Sequence, residues 1–175
     1  MKKSFLFLGL FCFASASLFG AQKFPKAKAI LYDGTGQKVG EAKFSEAPTG
    51  VKIFLKVKKI TPGTHAMHIH SVGLCQWPDF KSAGPHFNPS AKHHGLANPQ
   101  GPHAGDMPNF EVFQNGKAKI DLILDSVTLG EGKNSLLQPG GTSLVIHASA
   151  DDEMTDPAGN SGPRIACGVI QEDVH

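Results

Sequence analysis

From residue 27 onward, hydrophobic and polar residues alternate in short segments that are separated by glycine, proline and asparagine. The clearest segment runs from Val51 to Ile60, where apolar residues alternate with lysines over most of its length. A two-residue period is typical of a β-strand that buries one face and exposes the other. The 20 glycines and 12 prolines favour turns and short strands over long helices.

Further strands are predicted on both sides of this segment. Residues 27–32 and 39–45 form one predicted hairpin, residues 110–113 and 118–124 form a second that turns at Asn115-Gly116, and residues 165–170 form a last strand. Residues 71–109 and 150–163 lack periodicity, which in a compact domain is uncommon for idle loops. The pattern predicts an all-β, antiparallel sandwich or barrel that carries its function on two long loops.

Residues 1–20 have the features of a secretory signal. Lys2 and Lys3 precede an apolar run over residues 5–13, and small residues follow, so cleavage after Ala16 or after Gly20 is expected, with Gly20 favoured. A retained membrane helix is the alternative, but the run is shorter than the ~20 residues that span a bilayer. We expect one domain over residues 21–175, exported to the periplasm, with secretion as the alternative and no stable membrane span.

Charge and cysteine content follow from removal of this leader. Loss of Lys2 and Lys3 reduces 17 basic residues to 15, which equals the 15 acidic residues and gives a formal net charge of zero. This balance predicts no polyanion-binding surface and no nucleic-acid partner. Cys12 lies in the leader, so Cys75 and Cys167 remain, and in an exported protein two cysteines indicate a disulfide first.

Histidines are concentrated in one part of the chain. There are nine, and seven of them lie between His65 and His103. His68 and His70 share one face of a predicted strand, whereas Met67 and Ile69 face the core. A single His-x-His pair is a weak indication of a metal site, because paired surface histidines arise by chance.

The long loop that follows supplies further ligand types. Three imidazoles and one carboxylate suit a closed tetrahedral zinc site, which would order the loop by coordination: His86, His94, His103 and Asp106. Near the C-terminus, Leu144 and Ile146 face one way on a predicted strand and His147 the other. A solvated histidine-rich surface without function is the alternative.

Motifs over nearly the whole of residues 21–175 resemble the copper/zinc superoxide dismutase family. They are Met67-His68-Ile69-His70, Cys75, Gly84-Pro85-His86-Phe87-Asn88-Pro89, His94-Gly95, His103-Ala104-Gly105-Asp106, His147 and Arg164-Ile165-Ala166-Cys167-Gly168. The resemblance implies a Greek-key antiparallel β-sandwich or barrel. It also implies an enzyme that dismutates superoxide to dioxygen and hydrogen peroxide with copper and zinc, and that protects against superoxide outside the cytoplasm.

The resemblance implies roles for individual residues. Copper would be bound by four imidazoles: His68, His70, His86 and His147. Zinc would be bound by His86, His94, His103 and Asp106, so that His86 bridges the metals. His65 and Asp151 would support the ligands, Arg164 would bind the anion and His86 would deliver a proton. His93 and His175 match no role.

Departures from the family pattern leave several questions open. Ala66-Met67 stands where animal members have Gly-Phe, and the segment from Cys75 to His86 resembles the bacterial members. A homodimer is compatible with the resemblance, but its contacts do not carry over. The acidic run Asp151-Asp152-Glu153 leaves the source of electrostatic steering open. The rival functions are a copper or zinc carrier and a structural protein, and the presence of both His147 and Arg164 favours the enzyme.

Overall fold

The computed structural model describes residues 25–174, so the predicted leader and His175 lie outside the described residues. The described chain is all-β, as predicted, with one 3-10 turn at Lys81–Ala83 and no α-helix within these residues. Within them, no helix has the length and hydropathy needed to cross a membrane. The nine strands are β1 (Lys26–Asp33), β2 (Lys38–Glu46), β3 (Val51–Val57), β4 (Gly63–His65), β5 (Met67–His70), β6 (Phe110–Val112), β7 (Ala118–Leu124), β8 (Thr142–His147) and β9 (Arg164–Glu172).

Seven strands form one antiparallel sheet in the order β5-β8-β9-β1-β2-β3-β7, and β4 pairs with β6 in a second ladder. β4 and β5 are separated only by Ala66, so one chain segment joins the two ladders. Side chains from both ladders pack in a single core cluster, which indicates that the sheet curls around it. Connections that skip sequence neighbours, such as β3 beside β7, are those of a Greek-key barrel.

β3 illustrates why these residues form strands. Val51, Ile53 and Leu55 are fully buried, and Lys52 and Lys56 are exposed, as the alternation predicted. The strand ends at Val57 and not at the predicted Ile60. Lys59 has a φ of 61°, which interrupts the extended backbone and turns the chain towards β4.

The predicted β1–β2 hairpin is confirmed, but the predicted pairing of residues 110–113 with residues 118–124 is wrong. The turn itself forms, since Phe113 N donates to Lys117 O over 3.1 Å and Gly116 has a φ of 70°. Beyond the turn, β6 pairs with β4 and β7 pairs with β3. The alternating pattern of β7 indicates a strand that must pair with a neighbour, but it does not identify that neighbour. In the structure the neighbour is β3, which pairs with β7 over seven residues.

The predicted disulfide between Cys75 and Cys167 is present, with 5.6 Å between the Cα atoms. Cys167 lies on β9 opposite Val145 of β8, and both pack with Ala83 of the 3-10 turn and with Phe80, which precedes the turn, in a second, smaller cluster. The loop that begins at Cys75 is therefore held against β8 and β9 by one covalent bond and by apolar packing.

Candidate metal centre

Strand alternation positions the first histidines. Met67 and Ile69 of β5 point into the main core, so His68 and His70 point to the opposite face, as predicted. His147 ends the neighbouring strand β8. All three imidazoles are nevertheless buried, because the two long loops cover this face of the sheet.

Four imidazoles converge in a first ligand group. Their ligand atoms all lie within 4.8 Å of one another, and the residues are His68, His70, His86 and His147. In each residue one buried ring nitrogen has no hydrogen-bond partner: Nδ1 of His68 and Nε2 of the other three. Buried polar atoms are nearly always paired, so four unpaired nitrogens that converge fit a metal ion with imidazole ligands.

The other ring nitrogens of this group are held by the protein. His70 Nδ1 donates to Gly84 O over 2.8 Å, and His147 Nδ1 lies 3.2 Å from Gly162 O. His68 Nε2 lies 2.7 Å from Asp151 Oδ2. These contacts fix the orientation of each ring and direct its unpaired nitrogen towards the shared centre.

A second ligand group surrounds Asp106. Asp106 Oδ1 lies 3.0 Å from His86 Nδ1, 3.1 Å from His94 Nδ1 and 3.3 Å from His103 Nδ1. Tetrahedral ligands bound at the usual zinc distances lie roughly 3.3 Å apart, so these three contacts have the length expected between zinc ligands. His68 also lies within 4.8 Å of His86, His94 and Asp106, but its two nitrogens already face Asp151 and the first group, which leaves His103 as the better fourth ligand.

His86 belongs to both groups. Its Nδ1 faces Asp106, and its Nε2 is the buried, unpartnered atom of the first group. The structure thus brings together the complete set of predicted ligands, with one imidazole between two candidate metal positions.

Asp151 joins the two groups by a second route. Its Oδ2 faces His68 Nε2, and its Oδ1 lies 3.0 Å from His94 Nε2. Asp151 thus lies between His68 of the first group and His94 of the second. His65 contacts the site from the other side, with Nδ1 2.8 Å from His147 O and Nε2 2.8 Å from Thr61 O.

Two residues near the site were missed from sequence. The Asn109 amide accepts a hydrogen bond from Asp151 N and donates one to Asp151 O, both over 2.8 Å. Asp156 Oδ1 accepts from His94 N over 2.7 Å, and its other oxygen pairs with His93, for which no role was expected. These contacts span 42 and 62 residues, and no motif spacing links their partners.

Arg164 begins β9 directly opposite His147. Its guanidinium donates to Phe80 O and Gly84 O, each over 2.7 Å, and Gly84 O also accepts from His70 Nδ1. Burial lowers the pKa of Arg164 from its usual value and Asp79 opposes this shift, but an arginine stays charged at neutral pH. The structure therefore holds one fixed positive charge beside the first ligand group.

Burial and hydrogen bonds shift the pKa values of the candidate ligands. Burial lowers the pKa of His70, that of His86 to about 4 and that of His147 to about 3, so these imidazoles are neutral at neutral pH. For Asp106, burial favours the neutral form, but hydrogen bonds from His103, His86 and His94 outweigh it and hold the pKa well below its usual value. Neutral imidazoles and an ionised carboxylate are the protonation states that metals require. His94 differs, because hydrogen bonds with Asp106 and Asp151 outweigh the effect of burial and raise its pKa to about 9, so metal binding at this residue must release a proton.

Comparison with known proteins decides the family. The family model described as copper/zinc superoxide dismutase matches residues 38–170. The chain belongs to the copper/zinc superoxide dismutase family. It is accordingly an oxidoreductase with copper and zinc as cofactors, and its histidine clusters could hold metal ions.

Individual members of the family are similar over most of the chain. Superoxide dismutase [Cu-Zn] 1 of Aquifex aeolicus is 49% identical over 148 residues, which cover 83% of this chain and 88% of the relative. Superoxide dismutase [Cu-Zn] of Caulobacter vibrioides is 43% identical, with 83% and 85% covered. The crystal structure of a superoxide dismutase-like protein from Bacillus subtilis has a TM-score of 0.79 at 39% identity, and the match covers 81% of this chain and 96% of that one.

Proposed function

We propose that this superoxide dismutase works through two metals that share His86. Copper is assigned to His68, His70, His86 and His147, and zinc to His86, His94, His103 and Asp106. The observation that carries the proposal is His86 itself, whose Nδ1 faces Asp106 while its Nε2 joins three other unpaired nitrogens. Four imidazoles suit a copper ion that changes oxidation state, and three imidazoles with a carboxylate suit zinc.

The metals, when bound, supply a one-electron redox couple and a redox-inert positive charge. The side chains supply the rest of the reaction. Arg164 binds the superoxide anion through charge-assisted hydrogen bonds, and its anchors on Phe80 O and Gly84 O keep the guanidinium in place between turnovers. His86 Nε2 carries one of the two protons that hydrogen peroxide needs and solvent supplies the other, while His86 Nδ1 stays directed at the Asp106 group.

A surface cleft supports access to this centre. The cleft has a volume of about 470 Å³, and its walls include His86, His103, Ser71, Asn88 and Gln138. The cleft reaches the centre on the side of His86 and His103, and Arg164 is not among its walls. Both ligand groups are nearly closed to solvent, so only a small substrate can reach them.

Metal content measured beside superoxide turnover tests the proposal. We expect about one copper and one zinc per chain with rapid turnover. His147→Ala should lose copper and activity and retain zinc, whereas His175→Ala, for which no role is expected, should change neither. Zinc-only protein without turnover would instead favour the carrier or the structural function.

We also propose that the protein acts outside the cytoplasm, in the periplasm or as a secreted protein. The leader composition and the disulfide support this location, since disulfides persist in oxidising compartments. N-terminal sequencing of protein from the extracytoplasmic fraction should find a new terminus after Gly20 or after Ala16. Recovery of the uncleaved chain from the cytoplasm would contradict the proposal.

A homodimer is a further proposal. Tyr32, Leu74 and Trp77 are exposed around the disulfide, with 63% of Trp77 accessible, and tyrosine and tryptophan are enriched at protein interfaces. Sedimentation analysis should find twice the mass of one chain, and Trp77→Ala should shift the protein towards monomer. Sedimentation of the unaltered protein as a monomer would contradict this assembly.

A further inference from the structure

The outer face of four neighbouring strands carries most of the positive charge of the described chain. Of the fourteen lysine and arginine residues within residues 25–174, nine lie on this face: Lys26, Lys28, Lys38, Lys43, Lys52, Lys56, Lys58, Lys117 and Lys119. We call this surface, formed by β1, β2, β3, β7 and the residues next to them, the lysine face. Glu41 and Asp121 are the acidic residues on the same face of these strands.

Strand alternation fixes this arrangement. Ala29 of β1, Phe44 of β2 and Leu55 of β3 point into the core. The residues next to each of them along the same strand therefore point outward. The rest of the molecule is correspondingly acidic, because the loop over the metal centre carries Asp152, Glu153 and Asp156. The zero net charge after loss of the leader therefore conceals a separation of charge, and the expectation of no polyanion-binding surface does not follow from it.

Some of these lysines are placed where their positive charges repel one another. Lys28 lies directly opposite Lys43, and Lys56 lies directly opposite Lys119. Like charges in directly opposed positions of a sheet are destabilising. Some of the charge is neutralised, by Asp173 beside Lys28, by Glu41 beside Lys38 and by Asp121 at 3.1 Å from Lys52. Among the described residues, no ion pair is formed by Lys43, Lys56 or Lys119.

We propose that the lysine face docks the protein on an anionic phospholipid surface. Four strands about 4.8 Å apart and roughly seven residues long cover roughly 15 by 20 Å, which spans several lipid headgroups. Clusters of four to eight basic residues are typical of surfaces that bind anionic lipids. The positive charge of the lysine face is thus complementary to the negative charge of the lipid headgroups.

The kind of cation and its neighbours favour a lipid surface over a nucleic acid. Every cation on the face is a lysine, and Arg164, the one arginine, lies at the metal centre; planar two-point recognition of phosphates would call for arginine. Apolar side chains lie among the lysines: Phe54 lies under Lys56 Nζ at 5.1 Å, and Ile123 and Phe113 are more than half exposed. Basic and apolar groups on one surface suit the headgroup layer of a bilayer.

Vesicle sedimentation tests the proposal. Purified, metal-loaded protein is mixed with vesicles of phosphatidylglycerol and phosphatidylethanolamine, and with neutral vesicles of phosphatidylcholine. We expect binding to the anionic vesicles alone, with a strong decrease as sodium chloride is raised, because salt shortens the range of the interaction. Equal binding to both vesicle types, or none to either at low salt, would overturn the proposal.

A charge-matched pair of variants locates the surface. Lys43→Gln, Lys56→Gln and Lys119→Gln together should lower partitioning on the order of a hundredfold, since each lysine near an anionic leaflet contributes roughly a fivefold factor. Lys81→Gln, Lys92→Gln and Lys133→Gln together remove the same charge elsewhere and should have a much smaller effect. Unchanged superoxide turnover in the first triple variant shows that it is folded. Equal losses in both variants, or binding of duplex DNA in place of vesicles, would refute the proposed surface.

Discussion

In the proposed assignment, Asp106 is the residue on which the division between the two metals depends. Its Oδ1 faces three imidazole nitrogens, and its Oδ2 accepts hydrogen bonds from Gly95 N over 3.0 Å and His103 N over 2.9 Å. Asp106 is therefore both a candidate ligand and the group that orders the loop around the second site. The first group contains no atom of Asp106.

Asp106→Ala should weaken zinc binding by more than the 10–100-fold that is typical when a residue outside the ligand set is lost, and should affect copper far less. The reason is that copper retains its four imidazoles. Zinc and copper occupancy, measured by elemental analysis after dialysis against a chelator, checks this. Equal loss of both metals would show that the ligand division is wrong or that the two sites bind as one unit.

Arg164→Ala should lower superoxide turnover about tenfold or more with both metals still bound, because one charge-assisted hydrogen bond is worth roughly 1.5–3 kcal/mol and a tenfold change in rate needs about 1.4. Arg164→Lys should lie between, since lysine keeps the charge without the planar fork. Stopped-flow decay of superoxide, with metal content checked for each variant, measures the effect. Unchanged turnover in fully metallated Arg164→Ala would remove Arg164 from the mechanism.

Asn109→Ala should weaken the binding of copper and of zinc by about 10–100-fold each. Asp106→Ala should instead weaken mainly zinc binding. Asn109 clamps the backbone of Asp151, which contacts His68 of one group and His94 of the other. Asn115→Ala, in the exposed turn before β7, is the matched control and should leave metal binding unchanged. The copper absorption spectrum should shift in Asn109→Ala alone; an unaltered spectrum and unaltered affinities would show that Asp151 keeps its position without the clamp.

Ligand residues could be predicted from sequence because their chemistry is local to the motif. Imidazole and carboxylate spacing, together with strand alternation, indicated candidate ligands and the orientation of His68 and His70, and the family resemblance supplied their division between copper and zinc. Asn109 and Asp156 act through single backbone contacts across long separations, and an asparagine or aspartate in a loop has no pattern that reveals such a contact.

At the scale of elements, the first ligand strand and the long loop are joined through a glycine. Ile69 N of β5 donates to Gly105 O, Gly105 N donates to Phe87 O, and Phe87 N donates to Ile69 O, each over 2.8–2.9 Å. A Cβ on Gly105 would lie 2.4 Å from Ile69 O. The loop that carries His86, His103 and Asp106 can therefore approach β5 this closely only with glycine at position 105.

Gly105→Ala should destabilise the protein by roughly 1–3 kcal/mol, the usual cost of an extra methyl group without space, and should reduce occupancy of both metals. Both metals are affected because the loop and β5 supply ligands to both groups. Gly130→Ala is the control, since its Cβ would meet only Thr128 Oγ1 at 3.3 Å. Thermal unfolding and metal analysis measure the two effects, and a Gly105→Ala protein with unchanged stability would contradict the close approach.

Elements were easier to predict than their pairing. The periodicity located β1, β2, β3 and β7 to within a few residues, because burial on one face imposes alternation wherever the strand is placed. The partner of β7 was predicted wrongly, because two strands joined by a tight turn usually pair, whereas in this barrel the chain diverges after the turn at residues 113–117. Strand pairing depends on how the whole sheet closes, and it cannot be predicted from the sequence of a single segment.

At the scale of the molecule, the disulfide closes a segment of 92 residues that contains β6, β7, β8 and the long loop. In the chain-entropy model, a loop of about this length contributes roughly 4–5 kcal/mol to stability. Replacing Cys75 and Cys167 together with serine should lower the unfolding free energy by up to this amount, measured by denaturant unfolding at matched metal content. Thiol titration of the unfolded, unreduced protein that lacks its leader should find no free thiol, and two free thiols would contradict the cross-link in solution.

The carbonyl groups that hold Arg164 give the disulfide a role in the order of maturation. Phe80 O and Gly84 O belong to the loop that begins at Cys75, and Gly84 O also fixes His70. A chain with reduced cysteines therefore lacks one of the restraints that keep Arg164, the proposed anion-binding group, beside the candidate metal ligands. Newly made protein in a reducing compartment should be a poor enzyme even when it is supplied with metals, and it should become competent only after oxidation. Its activity would then report that the chain has reached the compartment where the bond forms.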